Sequence, residues 1–148
     1  MSQSAMAKRP FHTPHDAEQA FYDALERRDL EAMMAVWAVE EEVVCIHPGG
    51  PRLTGHEEVK VGWRQIFASG SKLAFELQDQ HCFQGAMLAI HIVHEQITIL
   101  PDRGRVLVVA TNVYLLTDRG WRMILHHASL APDSAEPAAT SEDQRILH

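Results

Sequence analysis

The chain has 148 residues, of which 46% are hydrophobic and 22% charged, values typical of one soluble globular domain that exclude disordered, collagen-like and membrane classes. Lys and Arg number 13 against 20 Asp and Glu, a net charge of −7 without a basic cluster, which argues against a nucleic-acid partner. Because Cys45 and Cys82 make no disulfide framework, and because no targeting segment or apolar run of roughly 20 residues occurs, we expect a cytoplasmic protein without membrane contact.

The first half of the chain has the apolar spacing of amphipathic helices. Residues 1–12 predict a flexible arm, and Thr13-Pro14 predicts a helix start because Thr can cap and Pro suits the first helical position. Asp29 can cap a second, short helix in the same way. Thr54 and Glu57 have the spacing of a capping box, which predicts the start of a third helix.

The second half alternates between apolar and polar residues, as strands do. A short β-rich run, Val43–Ile46, ends at a His47-Pro48 turn, and four long strands joined by tight turns follow. Helices first and strands after indicate an α+β fold, with three helices packed on a curved antiparallel sheet over 13–131. Residues 132–148 are rich in Ala, Pro, Ser and acids and predict a mobile tail. The predicted long strands cover 73–83, 87–100, 106–117 and 121–130.

Three local motifs in this order resemble the nuclear transport factor 2-like superfamily, and within it the SnoaL-like branch. They are the helix–helix joint Arg28–Met33, the strand and turn Val43–Pro48 followed by Leu53–Gly55, and the last strand, Gly120–Ser129. The resemblance covers about residues 13–131. Because the superfamily includes polyketide cyclases, ketosteroid isomerases and the association domain of calcium/calmodulin-dependent kinase II, it implies a fold more sharply than a function.

The resemblance implies a cone-shaped, cystatin-like fold whose helices and curved sheet enclose a pocket. His47 is the first candidate in that pocket, because it stands where ketosteroid isomerases have a catalytic Asp, before the same proline. An imidazole titrates near neutral pH and can serve as a general base. The alternative is a His that hydrogen-bonds the following turn, Pro48–Gly50, and holds it in place.

The last predicted strand supplies the second group of candidates. His127 and Ser129 share one face of that strand because side chains alternate. The kinase association domain has a His two residues before a Ser in its pocket, so the resemblance places His127 and Ser129 there. Arg122, Ile124 and His126 would then lie on the convex face, through which this superfamily commonly forms homodimers. The alternative is one buried structural His and one interfacial His.

Further pocket candidates come from the neighbouring strand and from the helices. Asn112 lies nine residues before Trp121, where the kinase association domain contributes an Arg, and its amide offers both a donor and an acceptor. Tyr114 lies on the same face and could donate through its hydroxyl. Either residue could instead be satisfied by backbone neighbours. Trp37 and Trp63 lie on apolar helix faces, where core packing is the default and one of them would form a pocket wall.

The sequence predicts no cofactor and no metal. Cys45 lies two residues before His47, so the pair could form a thiolate nucleophile, although no orienting third group accompanies it. His91 and His94 fall on opposite faces of a strand, and no Cys-x-x-Cys or helical His pair occurs. A metal site would require His47 to converge with His127.

The donors that ketosteroid isomerases use are missing here. Those enzymes stabilise a dienolate oxygen with a Tyr on the first helix and a protonated Asp in the sheet. The Tyr position falls on Phe21, and Tyr22 lies about 100° further around the helix. Because residues 111–117 include no carboxylate, steroid isomerisation is not supported, and Asn112 or Tyr114 would have to act as a substitute donor.

Three functions therefore remain open from the sequence. The first is a small enzyme of isomerase, cyclase or hydrolase type that uses His47 as a base on an apolar carbonyl compound. The second is a non-catalytic domain that binds a small apolar or carboxylic ligand. The third is a dimeric assembly domain in which the convex face matters and the pocket is vestigial.

Overall fold

The computed structural model describes residues 10–132, which form three helices packed on one six-stranded sheet. Most of the expected arm, residues 1–9, and of the expected tail, residues 133–148, therefore lies outside the described residues. The helices are α1 (Pro14–Arg27), α2 (Leu30–Val36) and α3 (His56–Ala68). The strands are β1 (Val44–Ile46), β2 (Arg52–Thr54), β3 (Lys72–Gln84), β4 (Leu88–Leu100), β5 (Gly104–Thr117) and β6 (Gly120–Leu130).

The first two helices begin at the capping residues that the sequence predicts. The Thr13 hydroxyl accepts a hydrogen bond from the backbone N–H of Asp16 at 3.0 Å. The Asp29 carboxylate accepts one from the backbone N–H of Ala32, also at 3.0 Å. Each cap satisfies a backbone donor that the helix itself leaves without a partner.

The third helix begins differently from the prediction. Thr54 belongs to strand β2, and the residue before the helix is Gly55, whose φ of 90° suits glycine. No side chain caps this helix; instead the Glu58 carboxylate accepts a hydrogen bond from the backbone N–H of Thr54 at 3.0 Å. The predicted Thr54–Glu57 capping box is therefore wrong, because pairing with β1 holds Thr54 in extended backbone.

The sheet has the strand order β2-β1-β6-β5-β4-β3. The four long strands form the antiparallel meander that the sequence predicts. Strand β2 was not predicted, and β1 runs parallel to β6, so the sheet is mixed rather than wholly antiparallel. The short strands thereby place the residues around His47 beside the last strand of the meander.

The helices cover the inner face of the curved sheet and bury one apolar core. Phe21, Met33 and Trp37 contribute from the helical side, and Val93 and Met123 from the strands, all completely buried. Burial of each such large side chain contributes about 1.5–3 kcal/mol of folding free energy. None of the helices in residues 10–132 is long and apolar enough to cross a bilayer.

The expected flexible arm does not extend as far as Phe11. This residue is buried, and its carbonyl accepts a hydrogen bond from the backbone N–H of Trp121 at 2.8 Å. The Arg122 guanidinium lies 4.6 Å from the centre of the Phe11 ring, within cation–π distance. The segment that precedes α1 is therefore tied to the start of β6.

A β-bulge in β6 reverses the alternation on which the sequence prediction for this strand depends. Tyr114 pairs with Met123 and Val113 pairs with Leu125, so Ile124 is an extra residue in β6. After the bulge the inward-facing residues are therefore even-numbered.

The predicted placement of the β6 side chains is consequently wrong. His127 and Ser129 are exposed on the outer face, whereas His126 is only 3% exposed and points into the core. Arg122 is equally buried beneath Phe11, so neither His126 nor Arg122 belongs to an exposed convex surface. Ile124 is half-buried at the bulge.

Candidate functional site

One row of residues with polar or sulfur-containing side chains crosses the inner face of the sheet. Cys45 on β1 pairs with His126 on β6, which pairs with Asn112 on β5. Asn112 pairs with His91 on β4, which pairs with Cys82 on β3. Because residues paired in register lie side by side on the same face, these five side chains form a continuous band.

The centre of this row is joined to α1 by a chain of buried hydrogen bonds. The Asn112 amide nitrogen donates to the Tyr22 hydroxyl at 2.9 Å, and that hydroxyl donates to the Glu95 carboxyl group at 2.5 Å. The Asn112 amide oxygen lies 2.6 Å from Nδ1 of His126 and accepts a hydrogen bond from it. His126 is thus the Nδ1–H tautomer, as the network requires.

Burial sets the protonation of His126 and Glu95, the two ends of this series of hydrogen bonds. It lowers the pKa of His126 to about 3, with smaller contributions from neighbouring His47 and His127, so the imidazole is neutral. It raises the pKa of Glu95 to about 7, against the opposing effect of the Tyr22 hydrogen bond. Glu95 is therefore divided between its two protonation states near neutral pH.

His47 lies at the edge of the core, directly after β1. Its ring is half-buried and meets Trp63 edge-on, with ring centroids 4.6 Å apart, and the His126 centroid is 6.3 Å away. Gly62 of α3 lies beside it, where an added Cβ would lie 2.5 Å from Cδ1 of Leu53 and at an ordinary contact distance of 3.7 Å from Nε2 of His47. His47 and His126 are therefore the two imidazoles that the fold brings together, in place of the predicted His47 and His127.

A groove of about 560 Å³ opens over His47, between the β1–β2 segment and α3. Its walls are largely apolar, with Leu53, Val61 and Ile66 contributing, while Glu57 and Glu58 stand at its acidic side. Burial lowers the pKa of His47 to about 4, so this imidazole is neutral and able to accept a proton at physiological pH. A neutral imidazole therefore lies beside a mainly apolar groove, and small-molecule sites usually combine such walls with a few polar groups.

Cys45 is not prepared to act as a nucleophile. Its sulfur lies 3.6 Å from Nε2 of His47, but burial raises the pKa of this thiol to about 12. The reactive thiolate is therefore absent near neutral pH. The Cys45–His47 pair packs and orients the imidazole, which favours a role for His47 without covalent catalysis.

Residues 15–134 match the family model described as the SnoaL-like domain, which covers most of the chain. The chain belongs to the SnoaL-like domain family. This SnoaL-like domain has the predicted fold, since solved structures described as NTF2-like or cystatin-like match it at high structural similarity.

Two of the matching structures are also similar in sequence. One is described provisionally as a calcium/calmodulin-dependent protein kinase type II association domain from Thiobacillus denitrificans; it is 41% identical, covers 82% of this chain and 98% of its own, and has a TM-score of 0.74. Another is described provisionally as a dehydratase of the NTF2-like family from Streptomyces avermitilis; it is 36% identical, with coverages of 78% and 91% and a TM-score of 0.72.

A curated relative matches part of the chain in sequence. The F-box protein SKIP8 of Arabidopsis thaliana is 27% identical over 110 residues, which cover 74% of this chain. The chain spans 46% of the length of that protein, so it corresponds to less than half of it.

The other residues predicted for the site are distributed over the SnoaL-like domain. Asn112 and Tyr114 are completely buried in the core. The Tyr114 hydroxyl has no hydrogen-bond partner in the described part of the chain. Trp63 belongs to the core behind His47, and Trp37 lines a separate groove of about 570 Å³ between α2 and the start of β6.

Glu95, Tyr22 and His91 belong to the buried polar groups of the inner face, a role that the sequence did not predict for any of them. Glu95 and His91 have the same parity on β4 as the buried residues Ala89 and Val93, so strict alternation would have placed both on the inner face. A carboxyl group and an imidazole at inward positions would have indicated a buried polar network. The partner of Glu95, Tyr22, lies 73 residues away in sequence and could not be found from spacing.

Proposed function

We propose that this SnoaL-like domain binds a small, neutral carbonyl compound and catalyses a cofactor-independent proton transfer on it. His47 is the base that accepts the proton, as chemistry of isomerase, cyclase or hydrolase type requires. The observation that supports this proposal is a neutral, half-buried imidazole facing a groove of about 560 Å³ with mainly apolar walls.

The surroundings of His47 suit a neutral ligand better than an anionic one. Glu57 and Glu58 line the groove and would repel the carboxylate of a carboxylic ligand. An apolar ring would instead pack on Leu53, Val61 and Ile66. The weakly basic imidazole would return the proton readily, so one side chain could take it from one carbon or oxygen atom and deliver it to another.

The experiment is proton exchange in D₂O, followed by ¹H NMR on a panel of cyclic ketones and enones. We expect the wild-type protein to accelerate exchange of the protons next to the carbonyl, and His47→Gln to lower this acceleration about 100-fold or more. His127→Gln is the matched control, because that imidazole is exposed on the outer face and should leave the rate unchanged.

The pH profile gives a second readout of the same experiment. Because burial lowers the pKa of His47 to about 4, exchange should stay constant at neutral pH and fall as the pH drops through 4. The proposal is wrong if the wild-type rate equals that of buffer for the whole panel, or if His47→Gln exchanges as fast as wild type. A compound that raises the melting temperature without exchanging would identify a non-catalytic binding domain instead.

Dimeric assembly is the second candidate, and the outer face of the sheet favours it. Half-buried apolar side chains stand in register across three strands there: Ile90 on β4, Val113 on β5 and Leu125 on β6. The similarity to a structure described provisionally as a kinase association domain points the same way. Such a homodimer is compatible with a catalytic groove at His47.

A further inference from the structure

A second cluster of reactive side chains lies at the other end of the inner row, away from His47. It consists of His15 in the first turn of α1, Cys82 on β3 and His91 on β4. One ligand atom from each side chain, a ring nitrogen or the thiol sulfur, lies within 4.8 Å of the other two. Cys82 and His91 are cross-strand partners, so the sheet itself fixes their proximity.

The carboxylate of Glu18 connects the two imidazoles of this cluster. Its oxygens lie 2.9 Å from Nδ1 of His91 and 3.6 Å from Nδ1 of His15. The side-chain amide of Gln80 donates to the same carboxylate at 3.1 Å. Carboxylates that orient histidine rings in this way are usual around protein metal centres, where they also add compensating negative charge.

We infer that His15, Cys82 and His91 bind a divalent metal ion of the zinc type. One thiol and two imidazoles are the donors that Zn²⁺ prefers, whereas Mg²⁺ and Ca²⁺ require oxygen ligands. Three protein ligands leave one coordination position for water. Binding releases the thiol proton of Cys82 to the buffer and forms the metal–sulfur bond, so charge and atoms balance.

The exposure of two of the ligands suits metal binding. Zinc bonds of about 2.0–2.3 Å in a tetrahedron place ligand atoms about 3.5 Å apart, and the three ligand atoms here lie within 4.8 Å of one another. His15 and Cys82 are exposed and can rotate towards the ion, while His91 is only 1% exposed and is held by Glu18. The site therefore has one fixed ligand and two adjustable ones at the surface.

The test is a titration of the tag-free full-length chain with Co²⁺, followed by displacement with Zn²⁺. A thiolate–cobalt charge-transfer band and the visible bands of tetrahedral Co²⁺ should appear with one ion per chain. Since the chain has ten His, weak binding elsewhere is expected, and the charge-transfer band identifies the thiol. Zinc should abolish the bands, and calorimetry should give the same stoichiometry.

Variants assign the ligands. Cys82→Ser should remove the charge-transfer band, and His15→Gln should weaken zinc binding about 10-fold to 100-fold. His81→Gln is the matched control, because it lies next to Cys82 on β3 but outside the cluster. Both changed ligands are exposed, so the metal-free variants should unfold at the wild-type temperature, which separates lost binding from lost structure.

Three results would overturn the inference: no charge-transfer band in the wild-type protein, a band that survives Cys82→Ser, or equal zinc affinity in His15→Gln and wild type. The inference does not depend on the proposed chemistry at His47. His47→Gln should therefore bind the metal normally, and a failure of either proposal leaves the other standing.

Discussion

Glu95 is a residue whose charge near neutral pH depends on its burial in the fold. It is buried under α1, and the Tyr22 hydroxyl donates a hydrogen bond to it. Burial raises its pKa from 4.5 to about 7, so the folded protein keeps this proton where the unfolded chain has lost it. The free energy of unfolding therefore holds the full contribution of protonated Glu95 below pH 4.5 and loses it as the pH rises to about 7.

We expect Glu95→Gln to remove this loss. Glutamine can still accept the Tyr22 hydrogen bond but has no proton to lose, so the variant should gain up to about 3 kcal/mol relative to wild type between pH 4.5 and 7. Urea unfolding at several pH values measures the difference in free energy of unfolding between the variant and the wild-type protein. The contributions of His47 and His126 are the same in both proteins and cancel. Glu41→Gln makes the same substitution at an exposed position and is the control. The prediction fails if the stability gained by Glu95→Gln does not increase between pH 4.5 and 7.

The imidazoles show how far single residues could be predicted. His47 directly follows β1, as the short β-rich run and the Pro48–Gly50 turn predict, because both signals are local in sequence. The second imidazole was misassigned: His126 faces His47, and His127 is exposed. His126 bonds to Asn112, which bonds in turn to Tyr22, and these partners lie on other elements, so spacing along one strand could not identify them.

At the scale of elements, the predictable features are those set by neighbours in the chain. The caps at Thr13 and Asp29 act over three residues, and the four-strand meander follows from alternation and turn residues. The bulge at Ile124 and the pairing of β1 with β6 depend on where another strand lies. The pattern within one strand does not determine its register with another strand. The inward or outward direction of the β6 side chains after the bulge depends on that register.

Gly120, the first residue of β6, has no room for a side chain. Its φ is 90°, and a Cβ there would lie 2.6 Å from the carbonyl oxygen of Phe11. Since backbone cannot move aside as a flexible side chain can, we expect Gly120→Ala to lower the free energy of unfolding by about 2 kcal/mol or more.

Gly104→Ala is the matched control for that substitution. An added Cβ at Gly104 meets nothing within 4 Å, and its change in stability should stay within about 0.5 kcal/mol. Thermal unfolding and urea unfolding of the two variants give the comparison. Equal stabilities would show that the contact between Phe11 and the start of β6 does not constrain the fold.

At the scale of the whole molecule, the two faces of the sheet carry different chemistry. The inner face holds the polar row from Cys45 to Cys82, with the His47 groove at one end and the His15–Cys82–His91 cluster at the other. The outer face is half-exposed, with apolar rows. A protein of this kind can assemble through one face without closing the sites that the other face supports.

Homodimer formation through the outer face is the prediction that belongs to this scale. Val113 stands at the centre of the row between Ile90 and Leu125, on the middle strand β5. In a symmetric dimer, Val113→Glu would bury an unpaired carboxylate from each subunit, which costs several kcal/mol and should leave the variant monomeric. The monomer should keep its fold, because Val113 is only half-buried in the single chain.

Light scattering coupled to size-exclusion chromatography distinguishes the outcomes. The wild-type protein should elute with twice the chain mass at micromolar concentration, and Val113→Glu with the mass of one chain. Ser71→Glu, which adds the same charge in the exposed α3–β3 loop, should remain dimeric. If the wild-type protein is monomeric, the proposed assembly function is wrong. If Val113→Glu is still dimeric, the interface lies on another surface, because an isolated carboxylate cannot stay buried in an apolar contact.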